Sequence, residues 1–224
     1  YWFSKLGKGS VEYIYKISDD KYVNPTYNNK NRNQLASSSL SIINPIFKKE
    51  NLFSYFKVNF QNQKLNSDGR NYEKNIFIVS LSSIYNVSSR TKFSVTYQKN
   101  YSKNFFDKTT TSTKLDYKLK EYLFIDKISI SSSSHFRHPT FNDLYWKPGG
   151  NSNLKSETGM NKSINFWLKP VNKNIVDLNL FYSNTKNLIQ WLPLQSFWQA
   201  RNLNDVKRYG LTANWAYNLK LFNG

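Results

Sequence analysis

The 224 residues contain no cysteine. That excludes a disulfide scaffold, a thiolate metal site and a cysteine nucleophile, and it leaves the redox compartment open. No run approaches the ~18 to 20 consecutive apolar residues that a membrane-crossing helix needs. Mean hydropathy of -0.66 agrees, so helical insertion is excluded. Acid is scarce, with 14 Asp and Glu against 32 Lys and Arg, and there are 2 His. No Ser/His/Asp arrangement or carboxylate pair stands at usable spacing, which argues against an enzyme. The stretch Gly7 to Ser10 is no phosphate loop, because the earlier glycine is missing and Gly9 stands where Ser or Thr should follow Lys8. No initiator Met, charged leader or apolar leader is read before Tyr1, so the chain is expected to be a processed product or an internal portion.

Lysine, asparagine, isoleucine and aromatics are abundant. A net charge of +18 invites a nucleic-acid reading, since Lys and Arg neutralise phosphates and release counterions. The basic residues, however, are scattered through every segment beside many Asn and Ile, a mixture that an AT-rich genome writes by codon bias. No nucleic acid is expected as a partner. The 16 Tyr, 16 Phe and 6 Trp suit the aromatic girdles of a membrane barrel. They suit a soluble β-sandwich as well.

Alternation at period two recurs from end to end. Leu211, Ala213, Trp215, Tyr217 and Leu219 are separated by the small or polar Thr212, Asn214, Ala216 and Asn218. Phe56, Val58 and Phe60 alternate with Lys57, Asn59 and Gln61, and Phe93, Val95 and Tyr97 with Ser94, Thr96 and Gln98. Val176, Leu178, Leu180 and Tyr182 continue the pattern, with Phe181 the exception. Strands are expected at 10–17, 34–43, 51–62, 74–87, 91–100, 111–119, 124–136, 157–169, 174–189 and 203–219, with no confident helix, internal repeat or domain linker. Short turns at NPIFKKEN, SSR, KEYL and PVNK alternate with long polar loops at 18–33, 63–73, 101–110, 137–156 and 190–202. Outer-membrane barrels have this asymmetry, and their strands need ~9 to 11 residues to cross a bilayer. The expected fold is all-β, an antiparallel transmembrane β-barrel in part, with about ten strands of a larger barrel.

The segment FRHPTFNDLYW followed by GGNSNLKSE, Phe136 to Glu157, resembles a stretch of TonB-dependent outer-membrane receptors in which an FRAPTF-like, LY-containing run leads into GNPxLKPE. Downstream, NLIQW and NLNDVKRYG resemble the family's ascending strand, Asn-rich loop and Val-x-x-x-Gly lead-in to the next strand. The motif residues are Phe136, Arg137, Pro139, Thr140, Phe141, Leu144, Tyr145, Gly150, Asn151, Leu154, Glu157, Asn202, Val206 and Gly210. Ser152 and Ser156 replace the pattern's two prolines, and Thr212 replaces its acidic residue. FNDLYW with GGN looks most like cobalamin receptors and siderophore receptors of Bacteroidetes-like bacteria.

The resemblance implies the outer membrane of a Gram-negative bacterium, with its lipid as surroundings. It implies uptake of a ferric siderophore or cobalamin past an N-terminal plug, energised through the TonB complex. Neither plug nor TonB box is recognised in residues 1–224, which read as part of the barrel domain. Pro139, Pro148, Gly149 and Gly150 imply a stiff extracellular loop with Phe141, Tyr145 and Trp146 packed at its base. Tyr145, Trp146, Trp191, Trp198 and Arg201 are candidate ligand contacts; a girdle role for Trp191, Phe197 and Trp198 is the competing reading. His135 and His138, three apart on a strand, face opposite ways with no acid to complete a shell, so neither metal nor cofactor is expected. A passive porin and a soluble basic β-sheet that binds nucleic acid or glycan are the alternatives.

Overall fold

The computed structural model describes residues 10–24, 29–67, 70–103, 105–119, 124–169, 174–194 and 196–217. Ten strands form one sheet in chain order, every neighbour antiparallel. They are β1 (Ser10–Asn24), β2 (Asn29–Lys49), β3 (Leu52–Ser67), β4 (Arg70–Asn86), β5 (Thr91–Ser102), β6 (Phe105–Lys118), β7 (Ile125–Arg137), β8 (Glu157–Leu168), β9 (Asn174–Leu194) and β10 (Phe197–Tyr217). No pairing joins β1 to β10 among the described residues, so the sheet is unclosed.

Four of the five expected long loops are largely strand. The segment 18–33 continues β1 to Asn24 and starts β2 at Asn29, 63–73 falls in β3 and β4, 101–110 in β5 and β6, and 190–202 in β9 and β10. Lengths of up to 21 residues exceed what a bilayer requires. The excess lies loop-ward of the apolar band: alternation weakens in the sequence there, while the hydrogen-bond ladder continues. Of the fifth expected loop, 137–156, Arg137 ends β7 and residues 138–156 leave the sheet. At the other end, most of NPIFKKEN belongs to β2, with a bulge between Pro45 and Phe47 that accommodates the proline's missing donor. The SSR turn is held by the Ser88 hydroxyl, which accepts from the Arg90 and Thr91 amides at 3.2 and 3.1 Å. KEYL and PVNK lie outside the described residues.

Register sorts the side chains. Phe60 pairs with Phe77 and Phe77 with Tyr101, giving an aromatic row across β3, β4 and β5. Tyr85 and Phe93 pair near the turn end of the same face. Phe77 and Tyr85 are eight residues apart, ~27 Å along the strand, close to the ~25 Å apolar band of a membrane barrel. Val79 and Leu81 lie between them. The charge of Lys99 on this face is held 5.0 Å from the Tyr101 ring centroid, at the row's edge, as a snorkelling lysine would hold it. The opposite face carries Ser80, Ser82, Thr96, Gln98 and Ser131, with Ser82 and Thr96 hydroxyls 3.0 Å apart. Phe181, the alternation's exception, falls on this polar face opposite Gly210. The glycine leaves the ring its space, since a Cβ at Gly210 would come within 2.9 Å of the Phe181 Cζ.

Candidate functional site

The loop between β7 and β8 folds over the polar face. It begins with buried Pro139 and a short helix, α1 (Phe141–Tyr145), absent from the sequence reading. Thr140 caps α1: its hydroxyl accepts from the Asp143 amide at 3.1 Å, and the Asp143 carboxylate accepts from the Thr140 amide at 2.9 Å. T-x-x-D is a capping box with Asp in place of Glu, a legible signal. After α1 the chain reverses through Gly149 and Gly150, whose amide donates to the Trp146 carbonyl.

Arg137 at the end of β7 is the hub. Its guanidinium donates to Asp143 at 2.9 Å and to Glu157, its cross-strand partner on β8, at 2.8 Å. Both carboxylates are buried. Asp143 also accepts from the Trp191 indole at 3.1 Å, tying α1 to β9. Glu157 accepts the Ile189 amide at 2.7 Å, where β9 runs past the end of β8 and its ladder would lack a partner. Asn187, at φ 54°, is the left-handed residue that breaks the ladder there. Hydrogen bonding to Glu157 leads the effects that raise the Arg137 pKa, Asp143 adding to it against burial. Burial alone would raise the Asp143 pKa, but Thr140 and Arg137 together bring it below the ordinary value.

Asn202 of β10 acts as a substitute peptide group. Its carboxamide accepts from the Lys155 amide at 2.8 Å and donates to the Lys155 and Asn187 carbonyls at 2.9 and 2.7 Å. Asn151 donates to the Ala200 carbonyl at 3.2 Å, and the Ala200 amide to the Gly149 carbonyl at 2.9 Å. Beneath these bonds Leu154, Ile189 and Ala200 form the buried apolar cluster, joined by Leu144 and Trp191.

Three strands away on β4, buried Lys74 donates to the Pro139 carbonyl at 3.1 Å, and Tyr72 stacks on Tyr145 with ring centroids 3.8 Å apart. Burial lowers the Lys74 pKa to about 8, with Arg137 adding to the shift and Asp143 opposing it. Tyr145 is shifted upward by burial and by Tyr72. The loop thus bridges β4 to β10. No local signal marks Tyr72 or Lys74 in the sequence, because their partners lie about seventy residues downstream.

The motif residues from Arg137 to Glu157 and Asn202 are brought together; Phe136 meets His138 edge-on at 5.0 Å. Val206 and Gly210 lie further down β10, opposite Thr185 and Phe181. The candidate ligand contacts divide. Tyr145 and Trp146 belong to the loop, Trp191 is engaged by Asp143, and Trp198 stays 60% exposed beside Gly149. Trp191 and Trp198 take polar-face positions, so the apolar girdle excludes both, while Phe197 falls on the apolar face. Arg201, on that face too, bonds Gln199 at 2.9 Å. His135 meets Thr185 at 3.2 Å and His138 meets Ser156 at 2.8 Å, in separate places. Burial, with Lys74 and Lys108, lowers the His138 pKa to about 4.

The family model for the TonB dependent receptor-like β-barrel matches residues 9–224. The vitamin B12 transporter BtuB of Vibrio vulnificus is 32% identical over 85 residues, 36% of this chain and 13% of that protein. BtuB of Photobacterium profundum is 32% identical over 99 residues, 40% of this chain and 16% of that protein. Among solved structures, the siderophore receptor PirA of Pseudomonas aeruginosa superposes with a TM-score of 0.75 at 15% identity, over 93% of this chain and 41% of that one. A G324V mutant of the ferric enterobactin receptor PfeA from the same organism gives 0.77 at 14% identity, over 98% and 40%. These structures establish the shared fold, and the chain spans about two fifths of their length. With the family model covering nearly every residue, the chain belongs to the TonB-dependent receptors and supplies antiparallel strands of their transmembrane β-barrel.

Proposed function

We propose that these strands are part of an outer-membrane receptor of a Gram-negative bacterium that takes up a scarce, bulky solute, a ferric siderophore or cobalamin, through energy supplied by the TonB complex. The plug and TonB box of the family stand outside residues 1–224 in this reading, and the loop end of the sheet faces outward from the cell. The observation that carries it is the Arg137 clamp, which uses two buried carboxylates and an indole to hold one loop across the polar face. Such preorganisation reduces the ordering cost of capturing a ligand. Tyr145 and Trp146 on that loop, with exposed Trp198, are the proposed ligand contacts, whereas Arg201 is directed to the other face and is not among them. Trp191 serves as anchor.

Exposed apolar side chains such as Leu81 and Ile130 suit lipid, which disfavours the soluble polyanion-binding sheet. The test is equilibrium binding of cyanocobalamin and of ferric catecholate and hydroxamate chelates by the protein purified at its natural length. Saturable binding of one class is expected, weakened more than about tenfold by Trp198→Ala. Absence of saturable binding by every class would overturn the reading.

A further inference from the structure

The apolar face changes character at the loop end of β8, β9 and β10. Lys162, Tyr182 and Tyr209 form one row across the three strands. Turn-ward of it lie Ile164 and Phe166, Leu180 and Leu178, Leu211 and Ala213, without a charge. Loop-ward, the same face carries Lys207 opposite Asn184 and Lys186 opposite Asp205. Lys162, Lys186 and Lys207 are exposed, and no ion pair engages them among the described residues. From strand spacing and rise, their Cα atoms are ~8 to ~15 Å apart, within reach of one another's side-chain tips.

We infer that Lys162, Lys186 and Lys207 form a docking surface for the phosphate groups of lipid headgroups in the leaflet on the loop side. Lys162 within the tyrosine row and Lys186 and Lys207 just loop-ward of it stand at the depth where headgroup phosphates lie, and charge complementarity selects an anionic occupant. Asp205 is the one acid within the group, leaving a surplus of positive charge. The position does not depend on closure of the sheet, since a further strand paired to β10 leaves the direction of these side chains unchanged.

This inference rests on the membrane-spanning reading, and the test separates the two. The natural-length protein is placed in nanodiscs of phosphatidylcholine doped with bisphosphorylated lipid A, or with the same glycolipid after phosphatase treatment, and protein-retained glycolipid is measured by native mass spectrometry. Wild type is expected to retain the phosphorylated form, and the Lys162→Gln, Lys186→Gln, Lys207→Gln triple variant to lose on the order of 100-fold in apparent affinity. A triple Gln variant at Lys57, Lys92 and Lys118 should retain it. Heat-modifiable gel mobility verifies folding of each. Equal retention by wild type and the first variant, or equal retention of phosphorylated and dephosphorylated glycolipid, would overturn the inference. Displacement by inorganic phosphate at equal concentration would overturn it too, by showing a free-phosphate site. Failure of the protein to enter nanodiscs would overturn the spanning reading and this inference with it.

Discussion

At the scale of single residues, the two loop and strand glycines have different consequences. A Cβ at Gly149 would overlap the Trp198 carbonyl oxygen and press on the Trp191 ring, neither free to withdraw. Gly149→Ala should detach the loop from β10, raising hydrogen exchange at Gly150, Asn151 and Ala200. At Gly210 the obstacle is the edge of the Phe181 ring, which is 38% exposed and able to swing aside. Gly210→Ala should therefore cost less than about 1 kcal/mol by thermal unfolding. Asp143→Ala, which leaves Arg137 and the Trp191 indole short of an acceptor, should cost about 2 to 4 kcal/mol of loop docking.

The pH dependence follows from two bases whose pKa is lowered by burial. The unfolded loop binds more protons than the folded one between the two values, so stability rises with pH through each window. For His138 the window runs from about 4 to 6.5, for Lys74 from about 8 to 10.5. Loop protection measured by hydrogen exchange, corrected for the intrinsic rate, should weaken as pH falls from 6.5 toward 4. His138→Asn should flatten that limb. The motif residues were legible because they cluster in sequence from Phe136 to Glu157. Lys74 was not, since an alternating lysine on a polar face looks the same whether it meets water or a buried carbonyl.

At the scale of elements, the alternation marked all ten strands but not where they end. In Asn62 to Asn66 and Asn71 to Asn75 polar residues occupy both faces, so period two vanishes although the ladder persists; Asn62 bonds Glu73 and Asn75 across it at 2.7 and 2.6 Å. The loop-covered face takes Lys74 and Tyr72 as readily as apolar residues, and that removes the pattern that sequence reading depends on. The short helix α1 escaped for a related reason: five residues are too few for a 3.6-residue period, and its cap is its main signature. The two faces make an asymmetric forecast. Leu81→Lys, in the middle of the apolar band, should cost about 2 to 4 kcal/mol of folding free energy in lipid vesicles, whereas Gln61→Lys on the polar face should be tolerated. Urea titration of refolding in vesicles compares the two.

At the scale of the molecule, one sheet presents a lipid-compatible face, a polar face and, among the described residues, a single clamped loop that leans across the latter from β7 to β4 and β10. The proposed solute uptake, the proposed coupling to TonB and the inferred attachment to headgroup phosphates all presuppose that the strands cross a bilayer with the even-numbered residues of β4 turned inward. The absence of cysteine from residues 1–224 makes that directly measurable, because a single cysteine introduced there is the sole labelling site once any cysteine elsewhere in the natural-length protein is replaced. Nitroxides placed one at a time at positions 77 to 85 of the natural-length protein in vesicles report oxygen and aqueous nickel-chelate accessibility. Oxygen accessibility should peak at Val79, Leu81 and Ser83 and fall at Ile78, Ser80 and Ser82, the chelate showing the reverse. Uniform chelate access along the strand, or the same alternation shifted by one residue, would contradict the account.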